Sequence, residues 1–322
     1  MPSPELNDTP FSDSGLRTQH SALHIHGALT LVAILFSLNY IISKLAMHAF
    51  APLVFAYLRV VGSALILNLL VRERSPALVS RQDSWRLVAY SVLGVVVNQS
   101  LFLGGLALTS AYVAAILITT IPAFALAAAI ILGREGATNA KIGGVALAAA
   151  GALLIVAGEG YEGARKSLVG DLLIVANSFC YALYLVLSKP MMARLTARRV
   201  IARMFAIGTV LMLPISLWPL LHQDWSVIPA RAWVGLVLVI LGPTVAAYLL
   251  NAWALANAES SLVATYTYLQ PVMTIFLAAS FLGETIRPVA LVATAMIFVG
   301  IYLAGQASGV RRRASAEGEP EA

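Results

Sequence analysis

Charge is what this sequence has least of. Only 11% of its 322 residues are charged against 60% hydrophobic, and the mean hydropathy is +0.85. No water-soluble domain has an interior large enough to hide that much apolar surface, so the chain is read as a membrane protein. Cysteine is nearly absent: Cys180 stands alone in an apolar run, which excludes a disulfide framework and any CxxC metal or redox site. Acid is absent from the apolar runs. All fifteen Asp and Glu lie between the runs or at their ends, and only Lys44 and Arg59 place a basic group inside one. There is no paired intramembrane acid, no HExxH, and no serine with a His or Lys partner at matching depth, so an intramembrane hydrolase is disfavoured and no enzyme, metal or cofactor is expected. The basic start and short apolar core of a cleavable leader are not found in residues 1–26. Residues 1–26 are polar, with three acids and one arginine, and are read as a retained cytoplasmic tail.

What is present is a series of ten apolar runs, each near the roughly 20 residues that a bilayer core requires. They cover 27–47, 52–71, 87–106, 112–132 and 142–157, then 170–187, 204–221, 233–254, 261–282 and 289–305. Backbone groups in lipid must satisfy one another, and continuous apolar runs fit helices rather than alternating barrel strands. An all-α polytopic membrane protein with ten transmembrane helices is therefore expected. Residues 158–169 form a linker loop, and 306–322, three arginines followed by small and acidic residues, a solvated cytoplasmic tail.

The chain repeats itself. Residues 109–135 recur as 258–284 at a constant offset of 149: each copy opens on small polar residues, carries a mid-run proline (Pro122, Pro271), and closes an apolar run with a glutamate (Glu135, Glu284). Gly151 and Gly300 keep that offset, while Phe36, Ser43 and Lys44 fall on Tyr181, Ser188 and Lys189 at an offset of 145. Residues 27–157 and 170–305 are thus two homologous five-helix halves. With the N-terminus inside, fifteen basic residues fall in inner segments and four in outer loops, which makes both termini cytoplasmic and the chain a multi-pass protein of the cell's inner membrane. That charge placement also explains the formal +6 without nucleic acid. Five helices per half is odd, so the halves enter the membrane in opposite orientations. An inverted repeat supplies two related conformations of a central site and favours transport.

Three features, the arginine of FAYLRVVGSAL (Arg59), the stretch NQSLFLGGLALTSA from Asn98 to Ala111, and the paired Pro-to-Glu segments, resemble the EamA-type transporters of the drug/metabolite transporter superfamily. The resemblance runs from about residue 27 to 305 and extends to plant members between Asn98 and Ala128. It implies ten helices and export of small metabolites, amino acids or drugs through a cavity between helices one to four and six to nine. A channel-like facilitator and a non-transporting membrane scaffold are the alternatives. The expected partners are a small-molecule solute and membrane lipids, including the anionic inner leaflet opposite the basic stretch from Arg194 to Arg203.

With no acid in the path, polarity must come from neutral groups and one cation. The candidate path residues are Asn39 and Ser43, one turn apart; Arg59; Asn98 and Gln99; and Thr119 with Thr120. The second half offers Tyr184, Tyr248, Asn251, Tyr266, Tyr268 and Gln270. Pro122 and Pro271 are expected to kink their helices and free a carbonyl. Arg59, seven residues from Pro52, sits on the order of 10 Å into its helix. Together with Lys44, which can snorkel, it suits a solute with a carboxylate. Histidines are expected outside the helices and Asp171 at a helix end, which favours facilitated diffusion over a carboxylate proton relay. The small-residue face of the fifth helix (Gly143, Gly144, Ala148, Gly151, Ala152) is read as scaffold, and Trp218, Trp225 and Trp233 as an interfacial belt.

Overall fold

The computed structural model describes residues 13–71, 80–158, 164–257, 266 and 268–316. Every regular element among them is helical. In chain order they are α1 (Asp13–Ala46), α2 (Pro52–Leu70), α3 (Arg81–Leu108), α4 (Ala111–Ile131), α5 (Asn139–Gly158), α6 (Ala164–Leu195), α7 (Ala197–His222), α8 (230–257), α9 (Leu269–Leu282) and α10 (Pro288–Ala316). Eight contain stretches long and apolar enough to span a membrane, and α9 and residues 288–303 of α10 are shorter apolar helices.

Local chemistry sets the ends. Pro52 opens α2 where its missing N–H is no loss, and the Ser80 hydroxyl accepts the Asp83 N–H at 3.1 Å to cap α3. Gly283 stops α9 in the left-handed conformation (φ 64°), a geometry that a β-carbon would strain. Four expectations need correction. The loop expected over 158–169 is helical at Gly158 and again from Ala164, and the tail expected from residue 306 is helical through Ala316. The first helix begins at Asp13, not at residue 27, so His20, His24 and His26 lie within it, and His222 ends α7. No proline or helix-terminating glycine interrupts 13–26, so the helix continues beyond its apolar part. Asp171, likewise, is not at an end: it lies in the second turn of α6 and is fully buried.

Long-range contacts set the two ends of the bundle. The end of α1 meets the ends of α3 and α9 through Lys44, Thr109 and Glu284, and the α1–α2 turn meets the end of α7 through Gln223. This is the far face. At the opposite, N-terminal face, His26 of α1 meets Tyr266 and Asp83 of α3 meets Arg194 of α6. Trp218 stacks on His222, and Trp225 on Trp233, at the far face. In the loop beside them the Ser226 hydroxyl and N–H hold the Asp224 carboxyl below its usual range.

Partners are exchanged between the halves. Helix α1 packs on α8 and α9, while α6 packs on α3 and α4; α2 packs on α7 and α5 on α10. The α5–α10 pair is close-packed, because Gly151 faces the Ala293 carbonyl of α10 and Gly300 faces the backbone of Gly144 and Ala148 on α5. A β-carbon on Gly300 would meet the Gly144 carbonyl at 2.5 Å and the Ala148 nitrogen at 2.7 Å, atoms that cannot swing away. A β-carbon on Gly143 meets nothing within 4 Å. Gly300→Ala is therefore expected to cost about 1–3 kcal/mol by overpacking. Gly143→Ala on the same pair should gain about 0.5–1 kcal/mol from reduced backbone entropy. Thermal unfolding in detergent reads both signs, and equal effects would refute the contact.

Candidate functional site

Two helices leave the regular α-helical ladder at matching places. Helix α3 widens into a π turn at Val92–Val97 and α8 at Ile240–Ala246, positions that superpose at the repeat offset of 149. A π turn carries one extra residue and rotates the remainder of its helix about the axis. Just beyond the two π turns lie Asn98 and Gln99 in α3, and Tyr248 in α8, and all three line one cavity. Helix α4 is broken outright. Thr119 and Thr120 are turn residues just before Pro122, whose missing N–H leaves the ladder open; each hydroxyl bends back onto its own helix, to the Ile116 and Leu117 carbonyls at 2.6 Å. A neighbouring helix reaches the break, with the Ser178 hydroxyl 3.4 Å from the Leu117 carbonyl. In the second half Ser37 reaches the Gln270 carbonyl next to Pro271 at 3.1 Å.

The cavity these irregularities border holds about 370 Å³ and is lined from α1, α2, α3, α4, α6, α8 and α9; none of its lining residues comes from α7. It brings together Asn39, Arg59, Asn98, Gln99, Tyr248, Asn251, Tyr266 and Gln270, with Pro122 in the wall. Five expected residues, Tyr268 among them, are not in its lining. Ser43 is fully buried and donates to Asn39 Oδ1 at 3.2 Å; Thr119 and Thr120 are spent on their own helix; Tyr184 is buried beside Gly94. Pro271 is buried behind the wall, and Tyr268 packs on Phe298. Sequence reading passed over Asn177, Tyr181, Phe36, Tyr40 and Phe102, which also line the cavity, and Thr244, which supports it. Asn98 stands out as a buried amide in an apolar run, and Asn177 carries the same signal; its Nδ2 donates to the Asn98 carbonyl at 2.8 Å.

Among the described residues, Arg59 is the one charged group in the lining, and no carboxylate joins it there. The guanidinium is 3% exposed. Its Nε donates to Thr244 Oγ1 at 2.8 Å, and that hydroxyl donates in turn to the Val239 carbonyl five residues back, the span of a π turn. Among the described residues Nη1 has no partner, and neither does the acceptor Oε1 of Gln99. Two residues of the lining thus each hold a buried, unspent group, one a cationic donor and one a neutral acceptor, in a wall shared with Phe36, Tyr40, Phe102 and Tyr248.

The two ends of the cavity differ. Leu29 and Tyr266, at the N-terminal face, line it; Lys44, Thr109, Asp171 and Glu284, at the far face, do not. The far end is sealed. Lys44 Nζ lies 2.8 Å from Glu284 Oε1 and 2.7 Å from the Thr109 carbonyl, and the Glu284 carboxylate accepts the N–H groups of Ala111 (2.8 Å) and Tyr112 (3.3 Å) at the start of α4. Thr109 also donates its hydroxyl to Asp171. Beneath this network Gly105 and Gly170 touch: a β-carbon on either would fall 2.8–2.9 Å from backbone atoms of the other segment. Their counterparts at the N-terminal face are Ala254 and Ile25, which pack in one small apolar cluster with Leu29 and Tyr266.

A helical bundle with an off-centre, one-sided polar cavity in an otherwise apolar body defines a polytopic membrane protein of the solute-transporter class. The chain belongs to the EamA-like transporter family of the drug/metabolite transporter superfamily: the family model matches it twice, over residues 26–157 and 168–306. It is 29% identical over 280 residues to an uncharacterized transporter of Archaeoglobus fulgidus, covering 86% of this chain and 96% of that one. A probable terminal-alkyne amino-acid exporter of Streptantibioticus cattleyicolor is 30% identical over 207 residues, 64% of this chain and 68% of that protein. A WAT1-related protein of Arabidopsis thaliana is 25% identical over 79% of this chain and 77% of its own. Among solved structures, a crystal structure at 18% identity has the same fold, with a TM-score of 0.58 over 88% of this chain and 97% of the other.

Proposed function

We propose that this protein exports small carboxylate-bearing metabolites, amino acids and related compounds among them, by alternating access through the cavity between its halves. The observation that carries the proposal is the one-sided cavity: polar in the middle, reaching the N-terminal face, and shut by an ion-pair network at the far face. A permanent pore needs both ends open, so the closed end counts against a channel-like facilitator. The two five-helix halves, 27–157 and 170–305, serve as oppositely oriented repeats, with both termini cytoplasmic in the inner membrane because basic residues gather at that face. The present conformation is then inward-facing, ready to load a cytoplasmic solute. Arg59 receives the carboxylate; Asn39, Asn98, Gln99, Asn251 and Gln270 take the remaining polar groups; the aromatic wall takes the apolar body. The amino-acid export named for the Streptantibioticus relative is consistent with this chemistry. No carboxylate among the described residues lines the path, which supports facilitated diffusion over a carboxylate relay, although His26, bonded to the Tyr266 hydroxyl at 2.6 Å, puts an imidazole at the mouth.

The test compares metabolites in the medium of cells overproducing the intact protein and a double variant, Asn98→Ala with Gln99→Ala, at equal abundance. One chemical class should accumulate with the intact protein and fall at least about tenfold with the variant, as expected for two lost hydrogen bonds of about 1 kcal/mol each. Equal accumulation would remove the site assignment, and none with either would remove export.

A further inference from the structure

The far-face lock has a counterpart that is taken apart. Glu135 stands 149 residues before Glu284, and Lys189 stands 145 residues after Lys44, so the repeat places this second Lys and Glu at the N-terminal face as it places the first at the far face. The first pair is closed at 2.8 Å. In the second, Lys189 is exposed and has no ion pair or hydrogen bond among the described residues, while Glu135 is held instead by Lys141 at 2.8 Å. The Lys141 side chain is only 5% exposed, and a cation so enclosed needs an anion. The position equivalent to Lys141 in the second half is Ala290, so Glu135 has two lysines to choose between where Glu284 has one.

The alternative partner is close. Arg134, the neighbour of Glu135, donates to the Val186 carbonyl on α6, three residues before Lys189, so the end of α4 already lies against the end of α6. We propose that Lys189 and Glu135 form the N-terminal-face gate, closing as the Lys44–Glu284 pair opens, and that Lys141 is the latch that holds Glu135 away while the cavity faces the N-terminal side. This rests on the alternating-access reading above. The exchange has a built-in bias. The present arrangement keeps two ion pairs, Lys44–Glu284 and Lys141–Glu135, and the exchanged one keeps a single pair, so the resting protein favours the N-terminal-open state and the bound solute must supply the difference.

The consequence is a sign reversal between two lysines that serve one carboxylate. Lys141→Gln frees Glu135 for Lys189 and favours the far-open state; Lys189→Gln removes the gate and disfavours it. A purely structural role at this helix end would move both in the same direction. The readout is a cysteine in the cavity, Asn98→Cys on a Cys180→Ser background, labelled in sealed vesicles by a membrane-impermeant maleimide supplied at the far face. The labelling rate should rise at least about fivefold with Lys141→Gln and fall by a similar factor with Lys189→Gln. Adding Glu135→Gln to Lys141→Gln should cancel the rise. Changes of the same sign, or no change from either lysine, would overturn the proposal.

A second measurement does not depend on the variants' charge. A Glu135→Cys, Lys189→Cys pair should oxidise to a disulfide and hold the cavity open to the far face until reduced. A disulfide that leaves far-face labelling unchanged would overturn the gate as well. Labelling needs no known solute, so the two readings fail separately. Switching accessibility without any exported metabolite keeps the gate and removes export, whereas export without switching removes only the gate.

Discussion

Arg59→Gln is expected to cut the flux of a carboxylate-bearing solute by about 10–100-fold while leaving the folded protein as stable as before, or more so. The two halves of that expectation come from one feature, a buried cation that the protein itself only partly satisfies. Its Nε is bonded to Thr244, but among the described residues Nη1 has no acceptor and no carboxylate lines the cavity. An intramembrane arginine costs at least ~2 kcal/mol to insert. Glutamine keeps a donor for Thr244 and removes that cost, so unfolding should not move to lower temperature. What glutamine cannot do is neutralise an anion: a hydrogen bond to a charged group contributes about 1.5–3 kcal/mol, which sets the 10–100-fold loss. Arg59→Lys should fall between, since it keeps the charge but not the planar fork. Flux into inverted vesicles, paired with a melting curve of each variant, separates the roles. A stability loss with unchanged flux would make Arg59 a structural residue and remove the carboxylate from the proposed solute.

The bundle was legible because its signals are long. Apolar runs of about twenty residues and a repeat carried by Pro122, Pro271, Glu135 and Glu284 survive errors of several residues. The site was legible only by residue type. Amides and a lone arginine inside apolar runs stand out whatever the local geometry, and Asn39, Arg59, Asn98, Gln99 and Asn251 do line the cavity. Side chains that need the helical phase were harder to place. The cavity takes Asn177, Tyr181 and Leu185 from one stripe of α6, yet Tyr184, only about 20° from Asn177 in phase, packs onto Gly94 instead. The phase itself is reset by the π turns at Val92–Val97 and Ile240–Ala246, and nothing in VLGVVV announces one. Thr119 and Thr120 show the same limit differently. Pro122 marks the break in α4, but a broken helix also offers bare carbonyls, and the two hydroxyls turn to those rather than to the cavity.

The far-face lock should be sensitive in a definite order: Glu284→Gln opens it more than Lys44→Gln. Both variants delete the same ion pair, whose side chains are 24% (Lys44) and 12% (Glu284) exposed, so solvent screens part of its strength. Lys44 also donates to the Thr109 carbonyl, a single bond, but the glutamate carries the larger second task. Its carboxylate also accepts the first N–H groups of α4 from Ala111 and Tyr112, placing a negative charge on the positive end of that helix and tying α9 to α4 across the closure. Removing the lysine leaves this capping in place and costs about 1 kcal/mol. Removing the carboxylate charge weakens pair and cap together, at about 2–3 kcal/mol in total. In population terms the shift toward the far-open state is about fivefold for Lys44→Gln and on the order of 30–150-fold for Glu284→Gln. Far-face labelling of the Asn98→Cys reporter on the Cys180→Ser background measures both. Equal effects would mean that the capping contacts do not hold the closure, leaving the approach of Gly105 to Gly170 as its main support. The Lys44→Glu, Glu284→Lys exchange separates the two tasks in one protein: the ion pair is restored, but a cation now faces the N-terminus of α4, so closure should recover only part of the way.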